Sequence, residues 1–453
     1  MTTAQTHISL TDPNAAFSGL THRNTDIAAC LDRLRLLQPL EMISAPAKQR
    51  MLPLLNKMGD PQLAIAPVIH VAGTNGKGSV LAYLQAVFEA AGYDVHKFTS
   101  PHLVHFNERI VLAGEDISDE LLLDALQATE KAVNGENIRF FDAATLAALY
   151  AFACVPADIV LLETGMGGKL DSTNIFDAPL CAALSTVSLD HTGVLGTTHE
   201  DIATTKCGIA KPDKPFVIGR QEKDSIYDLA IRLAQENNAL PYCYGRDWQI
   251  SEQDGLLSFK GRYREWVLPR PQMAGTYQVE NAGLALAMLE QVLEKNSYDI
   301  AAGDVAAGIR QAQWRGRLQR IVNGPLCEVL GKGEKLWLDG GHNGSAARML
   351  AEEIKKWDKP TDIVLALSRK RYYNEVLTPL AQAARSVTLV PLKNYEQVLY
   401  DLPDLQKLDT DKNFDLHFAP SWQDALRHLA GGDGNILIAG SLYLAGDVLK
   451  EHG

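Results

Sequence analysis

Ala66-Pro67-Val68-Ile69-His70-Val71-Ala72 runs straight into Gly73-Thr74-Asn75-Gly76-Lys77-Gly78-Ser79. The first seven residues read as a buried strand, because an apolar run rich in β-branched residues needs cover on both faces. The second seven read as a tight glycine turn. Beyond it, Val80, Leu81, Leu84, Val87 and Phe88 recur at helical spacing, and Gly92 stops the helix. A strand, a glycine turn and a helix in that order aim backbone N–H groups at one point, where they can cradle phosphates. Lys77 can reach β- and γ-phosphates as a point charge, and Ser79 can offer its hydroxyl to Mg²⁺. The segment departs from the commonest form of such loops, since Gly78 stands between Lys77 and the hydroxyl.

The same rhythm continues outward. Residues 94–99, 158–163, 182–189 and 215–218 read as strands, and residues 143–153 as a buried helix. Strands alternating with helical segments imply a mostly parallel sheet covered on both faces. Upstream, residues 1–66 look mostly helical, with apolar spacing at 26–40 and around 51–58. Residues 246–270 break the pattern. Residues 248–250 and 257–259 alternate around Asp254-Gly255, which predicts a small antiparallel hairpin. Asn281 opens an Ala/Leu-rich helix, and residues 305–311 suggest another. The segment Trp314-Arg315-Gly316-Arg317-Leu318-Gln319 reads as the domain boundary, giving domains 1–317 and 318–453. A second α/β rhythm follows, with strands at 335–338, 362–367, 386–390 and 435–439 and a helix at 421–429. Residues 398–415 are charged and irregular and read as a surface loop. No internal repeat or low-complexity segment is present.

The 453 residues suffice for two or three domains with full hydrophobic cores. The net charge is −12, from 43 Lys and Arg against 55 Asp and Glu, and no long basic run occurs. That excludes nonspecific nucleic-acid binding, which needs phosphate neutralisation. The six cysteines are scattered, with no CxxC pair and no zinc spacing, as expected for free thiols in a reducing compartment. The N-terminus has neither the basic nor the apolar part of a secretory signal. The longest apolar stretch, 143–157, falls short of the roughly 20 residues that span a bilayer. The expectation is a cytoplasmic protein without membrane or nucleic-acid partners.

Several single residues could carry chemistry. Glu163 ends an apolar strand, where ligands of open α/β sheets bind, and could hold Mg²⁺; a loop cap explains it as well. Asp190-His191 could ligate a metal, supply a base, or simply pair. Lys206, Arg315 and Arg317 could meet anionic groups, though any one alone is as readily a solvated surface charge.

Taken together, GTNGKGS at 73–79, TSPH at 99–102, ETGMGGKLDSTN at 163–174, LDHTGVLG at 189–196, KCGIAKP at 206–212, WRGRLQ at 314–319, DGGHN at 339–343 and GSLYLAGDV at 440–448 form an ordered set. The set resembles the folylpolyglutamate synthases of the Mur ligase superfamily, most closely the bacterial bifunctional dihydrofolate synthase/folylpolyglutamate synthase family, over residues 30–450. The resemblance implies a P-loop NTPase-like N-terminal domain and a smaller Rossmann-like α/β domain, with the active site between them. It implies ATP-dependent ligation of L-glutamate to dihydropteroate or reduced folates through an acyl phosphate, with two Mg²⁺ ions.

By resemblance, Gly73, Thr74, Asn75, Gly76, Lys77, Gly78 and Ser79 bind ATP, with Asn281, Arg317, Asp339 and His342 also contacting the nucleotide. Ser79, Ser100, Glu163 and His191 match the metal ligands. Lys206 matches a lysine carbamylated on its ε-amine. Lys77, Lys206 and His191 form the catalytic set, His191 as a metal ligand. Arg139, Phe140, Phe141, Asp142, Leu170, Asp171 and Ser172 match the pterin-substrate site. Two departures stand out: Gly344 follows His342-Asn343 where the family has Pro, and Ser368-Arg369-Lys370-Arg371 replaces an Asp-Lys-Asp-like segment. The family is usually monomeric. A cell-wall Mur ligase is the alternative, but it carries a UDP-binding domain before the P-loop, and 72 residues precede Gly73 here. A nonenzymatic nucleotide-gated module would not need a metal-ligand set plus Arg317 and Asp339.

Overall fold

The computed structural model describes residues 22–38, 45–330, 335–367, 373–392 and 414–452. Parts of the upstream helical region, the 368–371 departure and nearly all of the charged 398–415 segment lie outside the described residues.

Strand β1 (Val68–Ala72) is buried along its whole length and sits inside an eight-stranded sheet. Its companions are β2 (Val95–Phe98), β3 (Ile110–Leu112), β4 (Glu115–Asp116), β5 (Ile159–Glu163), β6 (Cys181–Leu184), β7 (Pro215–Ile218) and β8 (Leu240–Cys243). The order is β4-β3-β2-β5-β1-β6-β7-β8. Strands β2, β5, β1, β6, β7 and β8 run parallel, and the β3–β4 edge is antiparallel. In register, Val71 lies beside Glu163 of β5, and Ala72 beside Leu184 of β6. The loops after β1, β5 and β6 therefore emerge side by side at the carboxyl edge, where open α/β sheets bind ligands.

Alternation along β1 divides the core. Ile69 and Val71 pack with the helices Lys77–Ala90, Tyr277–Lys295 and Ala302–Gln311. Val68 faces the opposite layer, with the helices Thr25–Leu36, Ala47–Lys57, Asp119–Val133 and Phe140–Cys154. The first layer also carries a three-stranded antiparallel sheet of β9 (Gln249–Gln253), β10 (Leu256–Lys260) and β11 (Glu265–Pro269). Asp254 and Gly255 both have positive φ, 53° and 75°, as a two-residue hairpin turn requires.

A second sheet has the order β12-β13-β17-β14-β15-β16: β12 (Gln319–Ile321), β13 (Lys335–Leu338), β14 (Thr361–Leu365), β15 (Ser386–Leu389), β16 (Leu416–Phe418) and β17 (Asn435–Ala439). All its pairings are parallel except β12–β13. Helices cover both of its faces, in two separate apolar clusters.

The structure corrects several expected elements. The strand expected at 182–189 ends at Leu184, because residues 185–188 leave the ladder to bond the glycine turn. The helix expected from Asn281 begins at Tyr277, which puts Asn281 in its second turn. The strands β3, β4, β8, β12 and β16, each two to four residues long, are too short for the sequence pattern to mark. No helix among the described residues is long and apolar enough to cross a membrane, and all six cysteines are free thiols.

The helices Lys77–Ala90 and Ala302–Gln311 approach closely at Gly308, where an added Cβ would lie 2.4 Å from Val87 Cα. Gly308→Ala is therefore expected to cost about 1–3 kcal/mol by overpacking. Urea unfolding checks this; an unchanged midpoint would contradict the contact.

Candidate active site

The glycine turn has no room for side chains. Gly76 caps the helix Lys77–Ala90 with φ 85°, and a Cβ there would meet Asn281 Oδ1 at 2.4 Å. A Cβ on Gly78 would lie 2.6 Å from the Trp314 ring. The turn is held from the β6 side as well. Thr74 N donates to Thr186 O at 2.8 Å, Ser185 Oγ donates to Asn75 O at 2.7 Å, and Ser188 N donates to Thr74 Oγ1 at 3.1 Å. Asn281 donates to Gln278, which reaches buried Ser79 Oγ at 3.5 Å.

Two lysines converge on one carbonyl. Lys77 Nζ donates to Gly73 O at 3.1 Å and to Thr74 O at 3.3 Å, and lies 3.5 Å from Glu163 Oε1. Lys206, in the helix His199–Cys207, donates to the same Gly73 O at 2.7 Å. Its side chain is buried, not a solvated surface charge. Burial, and then the charge of Lys77, pushes the Lys206 amine down to about 7.

Glu163 and His191 offer metal-binding chemistry. Glu163 ends β5, is buried, and accepts Ser100 N at 3.1 Å through Oε2. His191 has φ 51°, donates its backbone N–H to Asp190 Oδ1 at 2.7 Å, and presents a side chain 42% exposed. Desolvation, then the charges of His342, Lys206 and Lys77, hold its imidazole down at about 4, so the ring is neutral and ready to ligate. Among the described residues no three His, Cys, Asp or Glu side chains form a closed cage. A carboxylate, hydroxyls and one imidazole fit a cation that keeps its waters and binds phosphate oxygens, as Mg²⁺ does.

The second sheet reaches into this site. Asn343, buried after β13, donates to Asn75 Oδ1 at 3.0 Å and to Asp190 Oδ2 at 3.4 Å. It also caps the helix Gly344–Ile354 through Ala346 N, so Gly344 serves as that helix's first residue. His342 Nε2 lies 3.6 Å from Asp190 Oδ2, while its Nδ1 is 3.0 Å from Gly340 O. Asp339 is buried and accepts Leu318 N at 2.7 Å and Gly341 N at 2.6 Å, which ties the segment before β12 to the 339–343 loop. Burial raises its carboxyl. Arg317 is half-buried, and its guanidinium donates to Gly316 O at 3.2 Å.

The residues matched to the pterin substrate gather on the Phe140–Cys154 side of the sheet. Phe140, Phe141 and Leu170 are half-buried. Phe141 stacks on Phe98, with centroids 5.6 Å apart, and lies against Gly165. Arg139 donates to Asp142 at 2.7 Å and to Leu170 O at 3.3 Å, and Arg50 adds a second fork to Asp142 and Leu170 O. Asp142, Asp171 and Ser172 are turned inward and buried. Ser172 Oγ bonds Thr145 Oγ1 at 2.7 Å, and Asp171 is spent on loop hydrogen bonds. These three are turned away from solvent, whereas Phe140, Phe141 and Leu170 keep part of their surface exposed.

On the opposite layer, a cavity of about 360 Å³ opens at Ser100 and Glu163 and is lined by Gly78, Lys97, Trp314 and Arg317. Lys97 is buried with its ammonium 4.7 Å from the Trp314 ring centroid, and desolvation lowers it to about 8. The sequence reading gives Lys97, Trp314 and Asn343 no site role, although Trp314 and Asn343 lie within WRGRLQ and DGGHN. A lysine within an expected strand was the one visible signal for Lys97.

The description "Dihydrofolate synthetase, C-terminal domain" belongs to the family model that matches residues 326–451. Over 387 residues the chain is 31% identical to the dihydrofolate synthase/folylpolyglutamate synthase of Escherichia coli, covering 84% of this chain and 86% of that one. The fold superposes on E. coli FolC in complex with DHPP and ADP with a TM-score of 0.81 at 27% identity, covering 94% of this chain and 97% of that one. It also superposes on a bifunctional folylpolyglutamate synthase/dihydrofolate synthase with Mn, AMPPNP and L-glutamate bound, with a TM-score of 0.77 at 26% identity and coverage of 90% and 95%.

The Lys206 amine gives a pH signature with a definite sign. Its folded value is about 7 against an ordinary 10.5. Across that window the unfolded chain binds the extra proton, so this group makes stability rise as pH rises. Lys206→Met is expected to remove that slope and to be more stable than the parent near pH 7 in degassed, metal-free buffer. Denaturation midpoints from pH 7 to 10 check it; parallel profiles for the two proteins would contradict it.

Proposed function

The chain belongs to the dihydrofolate synthase/folylpolyglutamate synthase family, and from that premise we propose how its own residues carry the family's reaction. It is an ATP-dependent ligase that joins L-glutamate to dihydropteroate and to reduced folates. A carboxylate does not react with an amine in water, because its carbonyl carbon is a poor electrophile and oxide a poor leaving group. The substrate carboxylate therefore attacks the γ-phosphorus of ATP, forming an acyl phosphate as the bond to ADP breaks. The α-amine of L-glutamate then attacks the acyl carbon, loses a proton, and phosphate leaves.

The turn 73–79 cradles the triphosphate, and Lys77 leaves the Gly73 and Thr74 carbonyls to reach its oxygens. Positioning and charge neutralisation supply most of the catalysis in such transfers. Two Mg²⁺ ions, held by Ser79, Ser100, Glu163 and His191, supply Lewis-acid charge at the phosphates when bound. Carbamylation of Lys206 would replace a cation by an anion beside Lys77. The depressed amine of Lys206 supports this, because the neutral form is the one that adds CO₂. Asn281, Arg317, Asp339 and His342 frame the nucleotide. Phe140, Phe141 and Leu170 receive the pterin, in a pocket shaped by Arg139, Asp142, Asp171 and Ser172.

We divide the chain at 317/318, place the reaction between the two parts, and read the enzyme as a cytoplasmic monomer. One observation carries this reading. A phosphate-cradling turn meets Glu163 and Lys206 at the carboxyl edge of the first sheet, with Asn343 of the second sheet bonded to the same turn. Steady-state ADP turnover that requires both dihydropteroate and L-glutamate tests it; sustained turnover independent of glutamate would refute it.

Two substitutions probe the roles. Lys77→Ala is expected to lower ligation at least about 100-fold, as loss of a preorganised charge does, with an unchanged thermal midpoint. Near-normal turnover would remove the nucleotide assignment. Glu163→Gln is expected to shift half-saturation by Mg²⁺ to higher concentration in the same assay; an unshifted titration would place the metal elsewhere.

A further inference from the structure

His70 is a buried histidine in the middle of β1, three residues before Gly73. Alternation along β1 sends its ring to the layer of Val68, away from the nucleotide-side helix. There its Nε2 lies 2.8 Å from Thr173 Oγ1. Thr173 Oγ1 lies 2.6 Å from Asp171 Oδ1, and Thr173 N donates to the same oxygen at 3.1 Å. The other oxygen, Asp171 Oδ2, accepts Met166 N at 2.9 Å. The chain His70–Thr173–Asp171–Met166 thus crosses the base of the loop that follows β5 and carries Gly165 and Leu170.

The proton positions follow from the acceptors. An ionised Asp171 can only accept, so the Thr173 hydroxyl proton points to it. The Thr173 oxygen is then free to accept from His70, which fixes the neutral Nε2–H tautomer. Burial supports this by holding the His70 imidazole down at about 3, so the ring stays uncharged at any working pH.

We propose that His70 and Thr173 are positioning residues that hold the Gly165–Leu170 loop at the height the pterin substrate requires, from the same strand that carries the nucleotide turn. The inference rests on the pterin assignment made above. The hydroxyl of Thr173 is its hinge: it alone accepts from β1 and donates to the loop. Packing alone would be served as well by valine, which has the same shape. What valine lacks is the hydroxyl, and its loss would leave His70 Nε2–H buried without an acceptor.

The test is steady-state kinetics with dihydropteroate, ATP and L-glutamate on the full chain. Thr173→Val is expected to raise KM for dihydropteroate about tenfold, as losing one buried hydrogen bond does. KM for ATP and for glutamate, and kcat at saturation, are expected to stay within about twofold under the same principle. Thr173→Ser, which keeps the hydroxyl, is expected to restore the parental KM, and His70→Leu to reproduce the Thr173→Val effect. Equal KM in Thr173→Val and the parent would overturn the proposal. So would equal impairment of the Val and Ser variants, or joint loss of ATP and dihydropteroate binding in Thr173→Val, since either means a fold element rather than a positioned loop. Failure of the parent protein to turn over dihydropteroate would instead defeat the functional reading, which separates the two outcomes.

Discussion

Two lysine amines share one carbonyl oxygen, that of Gly73. Like charges held together in a desolvated place are costly unless an anion joins them. Glu163, 3.5 Å from Lys77, supplies part of that charge from within the protein. Lowering the Lys206 amine to about 7 relieves the rest, so the pair need not carry two full charges before a ligand arrives. Preorganisation of this kind is what a phosphoryl-transfer site needs, since little covalent work falls to the protein itself.

The rest of the structure serves that point. Strand β1 must be central, so that loops from β5 and β6 flank the turn. The turn must be glycine-rich, because Asn281 and Trp314 stand where side chains would go. The second sheet must dock through its own turn: Asn343 both caps a helix and bonds Asn75, which links domain position to nucleotide-loop position by a pair of amides. Asp339 completes the link by fixing the backbone of Leu318, whose φ of 40° is strained for a bulky residue, to the same loop. That strain sits where the two parts of the chain join.

What the sequence made legible was local. Apolar runs such as 159–163 and 435–439 fold as buried parallel strands, and Asp254-Gly255 makes its hairpin turn. What it hid depends on partners distant in the chain. Residues 185–189 continue a strand-like alternation with Val187 and Leu189, yet hydrogen bonds to Thr74 and Asn75 outcompete the ladder there. Lys206 resembles a surface lysine until the fold buries it against a carbonyl 133 residues away. Asp171 and Ser172 have the polarity of ligand contacts, but Asp171 is bonded within the loop itself and Ser172 to Thr145 of the adjacent helix. His70, within an apolar run, gives no sign of its partner until Thr173 is brought opposite.

The central claim is that the acid substrate is activated by its own attack on ATP at this junction. Dihydropteroate labelled with ¹⁸O in both carboxylate oxygens, turned over with ATP and L-glutamate, tests it most directly. The account predicts one ¹⁸O in each inorganic phosphate released, with its partner retained in the new amide. Unlabelled phosphate, or label recovered in AMP, would contradict it.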